Sequence, residues 1–131
     1  MPVSTEVKLS TLSYIILYVK DTKKAVPFYR DTLGVKVKSD EEGWVELETG
    51  SVTVALHGHD QTPPAHSETQ PIVVFNVENI HQAYEALKTK GVKFEHEPVV
   101  VCEAGPEQVG MSASFRDPDG NRLSIFGMSK K

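Results

Sequence analysis

The sequence predicts an α+β domain in which two βαβββ modules form a half-barrel with a concave cavity. Three observations carry that prediction. The chain repeats itself: Val19, Asp21 and Ala25 stand 58 positions before Val77, Asn79 and Ala83, and Gly34 stands 57 before Gly91. Each copy runs from a β-branched and aromatic stretch into a helical pattern closed by glycine. A polar stretch containing Pro63 and Pro64 separates the copies. Module one spans about residues 11–60, the linker about 61–70 and module two about 71–127.

Leu12 to Val19 is apolar and rich in aromatic and β-branched residues, so it reads as the opening strand. Asp21 suits the N-cap of the helix that follows. Ala25, Phe28, Tyr29 and Leu33 recur at helical spacing and form its buried stripe, and Gly34 suits its C-terminal cap. Pro27 conflicts with a regular helix, because it removes a hydrogen bond at a cost of about 3 kcal/mol. An irregular turn is expected there. Val35 to Lys38, Trp44 to Thr49 and Ser51 to His57 complete the first set of strands, the last two joined at Gly50. The order then repeats. Ile72 to Val77 is a strand, and Ile80 to Lys90 a helix capped by Asn79, with Ala83, Tyr84 and Leu87 inward. Val92 to Cys102 is a strand broken near Pro98, and Glu103 to Gly110 a loop able to close over the cavity. Met111 to Arg116 and Arg122 to Phe126 end the fold, joined by the turn Asp117-Pro118-Asp119-Gly120-Asn121.

Composition narrows the function classes. Hydrophobic residues make up 39% and charged residues 24%, ordinary values for a globular protein. A net charge of −4 with no basic run argues against nucleic acid as a partner. No apolar run is long enough for a membrane span, and residues 1–10 lack a signal-peptide pattern. Cys102 is the only cysteine, so no internal disulfide forms. A cytoplasmic location is the expectation.

Leu17-Tyr18-Val19-Lys20-Asp21, Phe28-Tyr29-Arg30-Asp31-Thr32-Leu33-Gly34 and Asp117-Pro118-Asp119-Gly120-Asn121, in that order, resemble the vicinal oxygen chelate superfamily. That superfamily includes glyoxalases, bleomycin-resistance proteins and extradiol dioxygenases. The resemblance covers about residues 11 to 127 and implies the half-barrel fold. It is weak on function, because one fold hosts several chemistries. Its metal-using members hold a divalent cation with histidine and glutamate from the concave strands. Carried over by position, those ligands fall on Tyr14, Ala55, Ile72 and Ser124. Phenol, methyl, sec-butyl and hydroxyl groups are a poor set for such a cation. The expectation is therefore no metal and no cofactor, closest in character to the metal-free bleomycin-resistance branch.

Strand alternation then proposes a cavity lining. Tyr14, Ile16 and Tyr18 share a face, as do Thr53, Ala55 and His57. So do Ile72, Val74 and Asn76, and likewise Arg122, Ser124 and Phe126. The binding set is Tyr14, Ile16, Tyr18, Ala55, His57, Ile72, Val74, Ser124 and Phe126. Such a bowl suits a small organic ligand, although aromatic strand residues equally suit a core. Trp44 is read as a pocket wall, an interface residue or structural packing, with packing favoured. His57, Glu46 and Tyr14 are the candidates for acid–base chemistry, with His57 favoured by imidazole's titration range. His57, His59 and His66 also admit a relocated metal site, set against a plain polar strand end.

The leading expectation is a small-molecule binding protein forming a homodimer. The alternative is a superfamily enzyme (lyase, isomerase or dioxygenase) with metal relocated near His57, or with metal-free acid–base chemistry. A protein-interaction module with a filled bowl is a third reading.

Overall fold

In the computed structural model, which describes residues 12–58 and 71–131, the repeat becomes two four-stranded sheets of one topology. Module one comprises β1 (Tyr14–Val19), β2 (Lys36–Glu41), β3 (Trp44–Glu48) and β4 (Thr53–Gly58), arranged β1-β4-β3-β2. Module two comprises β5 (Val73–Asn76), β6 (Val99–Glu103), β7 (Gln108–Arg116) and β8 (Arg122–Lys130), arranged β5-β8-β7-β6. In each sheet the first strand runs parallel to the fourth, and the remaining pairs are antiparallel. The expected linker, 61–70, lies outside the described residues.

The helices explain the uneven repeat. In module two, α2 (Ile80–Thr89) is a regular α-helix, and the Asn79 side chain accepts from the Gln82 backbone N–H at 3.0 Å. In module one, Asp21 likewise accepts from Lys23 N at 2.9 Å and starts α1 (Thr22–Pro27). After Pro27 the chain widens into a π-helical turn, Phe28–Thr32, in which Leu33 N donates to Phe28 O at 2.9 Å. A π-turn accommodates one extra residue within a helix. That residue is why the glycines of the two copies are one position out of step with the caps. Gly34 and Gly91 both have positive φ, 75° and 98°, where a side chain would be strained.

Strand alternation divides each sheet cleanly. The core-facing side of each sheet, the odd face, carries the odd-numbered residues of β1, β3, β5, β7 and β8 but the even-numbered residues of β4, and the opposite side is the even face. Val19, Val45, Leu47 and Leu56 from module one and Phe115, Leu123 and Ile125 from module two are all at most 2% exposed. Val54 and Ala113 join them, with Tyr29 of the π-turn and Ile80 and Tyr84 of α2. Both odd faces and both helical segments thus meet in one core. The even faces consequently point away from it.

The Asp117–Asn121 turn ties the modules together. Asp117 is buried, and its Oδ2 accepts from the Tyr29 hydroxyl at 2.6 Å and from Asn121 Nδ2 at 2.8 Å. Its Oδ1 accepts from the backbone N–H groups of Asp119 and Asn121. Asn121 Nδ2 also donates to Tyr18 O, and Lys20 N donates to Asp119 Oδ1. The sequence reading saw a turn placing the last strand; the turn also clamps β1 and the π-turn.

Three expectations need correction. The stretch from Glu103 to Gly110 is not a loop over a cavity. β6 ends at Glu103 and β7 starts at Gln108, with Cys102 opposite Gly110, so it is a short hairpin. The strand expected over Val92 to Cys102 starts at Val99, preceded by an isolated bridge between Phe94 and Phe115. β8 runs on to Lys130 rather than stopping at Phe126. Among the described residues no helix is long and apolar enough to cross a membrane.

Candidate functional site

The even face of module one is built in rows by strand register. Tyr14 lies opposite Thr53, Ile16 opposite Ala55 and Tyr18 opposite His57. On the other side of β4, Glu46 lies opposite Ala55 and Trp44 opposite His57. Tyr14, Ile16 and Tyr18 are 49%, 43% and 47% exposed, unusually high for three apolar or aromatic side chains on one strand.

The aromatic rings form a continuous line. Tyr14 meets Trp44 with ring centroids 5.7 Å apart, Trp44 meets His57 at 5.8 Å, and His57 meets Tyr18 at 5.4 Å. Interplanar angles of 72°, 83° and 65° make each contact edge-to-face. Tyr14 and Trp44 come from different rows, so their rings must meet above the middle row. Ala55 stands in that row and is fully buried. A larger residue there would occupy the space into which the rings lean. Trp44 Nε1 donates to Glu46 Oε2 at 3.0 Å, which fixes the indole and occupies one carboxylate oxygen. His57 Nδ1 is buried without a hydrogen-bond partner among the described residues.

The even face of module two is less aromatic. Ile72 and Val74 are exposed, at 38% and 56%. Phe126 is half-buried and lies over Gly110, where a Cβ would stand 2.8 Å from its ring. Ser124 is buried, its Oγ donating to the carbonyl oxygens of Ala113 at 3.2 Å and Ile125 at 3.3 Å. Of the expected binding set, Tyr14, Ile16, Tyr18 and His57 share one face, and Ile72, Val74 and Phe126 belong to the other. Ala55 and Ser124 are floor residues. Trp44, read from sequence as packing, stands in the middle of the ring line. Parity with Glu46 was its sequence signal, whereas its row with His57 and its contact with Tyr14 come from the fold.

The four positions carried over from the metal-binding pattern do not fit a divalent cation. Tyr14 packs its ring on Trp44, Ser124 spends its hydroxyl on backbone oxygens, and Ala55 and Ile72 offer no donor atom. Among the described residues no three His, Cys, Asp or Glu side chains come together to hold a metal ion. His59 and His66 lie outside the described residues, so their grouping with His57 is not described. Elsewhere, a crevice of about 690 Å³ runs between Ile15 and Val54 of module one and β5 of module two.

This architecture has clear relatives. The chain is similar to YraH of Bacillus subtilis (strain 168), with 29% identity over 129 residues covering 89% of this chain and 98% of that protein. It overlays on a glyoxalase/bleomycin resistance protein/dioxygenase from Nocardioides with a TM-score of 0.72 and 21% identity, covering 94% and 86% of the two chains. It overlays on lactoylglutathione lyase from Agrobacterium tumefaciens with a TM-score of 0.69 and 18% identity, covering 91% and 94%. At those identities the overlays establish the fold. The Glyoxalase/Bleomycin resistance protein/Dioxygenase superfamily matches residues 11–125, and the chain belongs to that superfamily.

Proposed function

We propose that this protein binds a small organic molecule against the even face of module one, without the divalent metal used by glyoxalases. The observation that carries the reading is the line of rings Tyr14–Trp44–His57–Tyr18, open to solvent on a rigid sheet. Aromatic side chains supply large contact areas at little entropic cost. A second copy completes the site. The even faces point away from the core of their own chain, so a homodimer with two-fold symmetry sets module one of each copy against module two of the other.

The test is a screen of small organic compounds by thermal unfolding, run in EDTA. Binders should raise the melting temperature of the wild type, and Tyr14→Ala with Tyr18→Ala should remove the shift. A protein that responds to no compound until nickel, zinc, manganese or iron(II) is supplied contradicts the reading. It would favour the enzyme alternative with metal near His57.

A further inference from the structure

We infer that the module-one face selects an organic cation, a quaternary or protonated amine on an apolar body. The inference rests on the binding reading above and names the ligand class for that face. Three features on the face favour positive charge over neutral or negative groups.

The first is the rings. Tyr14, Trp44 and Tyr18 carry negative charge on their faces, and a cation within about 6 Å of a ring centroid is attracted, most strongly by indole. Their edge-to-face contacts with each other and with His57 turn neighbouring ring planes through 65° to 83°. Rings so turned present walls in several directions rather than one stack.

The second is Glu46. Its carboxylate accepts from Trp44 Nε1 at 3.0 Å. A negative group at the N–H of an indole polarises the ring and increases the negative charge on its face. The carboxylate has a second oxygen and stands half-buried beside the same ring, where screening by water is reduced.

The third is the surrounding charge. Glu48 and Glu41 share the face with Glu46, and Lys36 is paired in register with Glu48. An anion entering there would meet carboxylates. An apolar neutral molecule would gain contact area but nothing from the carboxylates. A cation gains from both.

The test uses three probes of similar shape: choline, its uncharged isostere neohexyl alcohol, and pivalate. Trp44 is the only tryptophan, so its fluorescence reports the site. Choline should change the emission saturably, with an affinity at least about ten-fold above that of neohexyl alcohol, and pivalate should leave it unchanged. Glu46→Gln should weaken choline by about five-fold or more and leave neohexyl alcohol unaffected. Equal affinities for choline and neohexyl alcohol would overturn the cation selectivity while leaving an organic-ligand site in place. Preference for pivalate would overturn it too. If no probe alters Trp44 and the thermal screen also finds no binder, the binding reading itself falls.

Discussion

The two modules share one topology and one alternation of core and open faces, yet spend equivalent positions differently. Val19 pairs with Gly58 in module one, and Val77 docks on the Phe126–Gly127 segment in module two. His57 in β4 therefore corresponds to Phe126 in β8, and Ala55 to Ser124. Module one places rings, a histidine and a carboxylate above its floor. Module two covers the same level with Ile72, Val74 and Phe126 and uses its polar residues inside the sheet or in the Asp117 clamp. The duplication teaches that the odd faces carry the fold, whereas the even faces are where the copies differ in chemistry.

The largest effect that sharpens this comparison is at the paired glycines. A Cβ on Gly127 would lie 2.8 Å from Val77 O, in backbone tied to Phe126 O by the Val77 N–H, and 3.3 Å from Ile80 Cβ at the start of α2. On Gly58 the nearest atoms would be Gly43 Cα at 3.4 Å and Thr22 Cγ2 at 3.5 Å. Gly127→Ala should therefore destabilise by about 2–3 kcal/mol, against under about 1 kcal/mol for Gly58→Ala. Urea unfolding of both variants checks this. Equal losses would mean the modules pack their first helical turns alike.

Next is the clamp. Tyr29→Phe deletes one donor to the buried Asp117 carboxylate and should cost about 1–2 kcal/mol. Burial, and then the Asp117 carboxylate, raises the Tyr29 pKa far above the ordinary value of a phenol. With the folded-state value raised, stability is fully present below about pH 10, where unfolded tyrosine titrates, and is lost as pH rises beyond it. The wild type should lose stability in that alkaline range more steeply than Tyr29→Phe. Parallel pH profiles would remove Tyr29 from the account.

The smallest effect has the opposite sign. His57→Phe gives module one the residue of module two and removes a buried ring nitrogen without a partner among the described residues. Stability should rise by about 1 kcal/mol in thermal unfolding. A loss of that size would show that the nitrogen is hydrogen-bonded in solution.

Much of this was legible in the sequence. The spacing of Asp21, Asn79, Gly34 and Gly91 gave both helices with their caps, and the one-residue mismatch foreshadowed the π-turn beside Pro27. Alternation grouped Tyr14 with Ile16 and Tyr18, and separately Ala55 with His57; the resemblance set both groups at the cavity. Less legible were features that depend on contacts distant in sequence. Gly110 reads as a loop residue, but β7 keeps it because a Cβ would stand 2.6 Å from Cys102 Sγ and 2.8 Å from the Phe126 ring. The grip of Asp117 on Tyr29 spans 88 positions, and no local pattern announces it. The place of Trp44 in the ring line depends on its indole leaning across β4 to Tyr14, which register alone does not dictate.

The most direct test of the central claim is a map of ligand-induced NMR chemical-shift changes for compounds that stabilise the protein in EDTA. The account predicts the largest changes at Tyr14, Tyr18, Trp44 and His57. Changes confined to the crevice between β1 and β5, with those four residues unmoved, would contradict it.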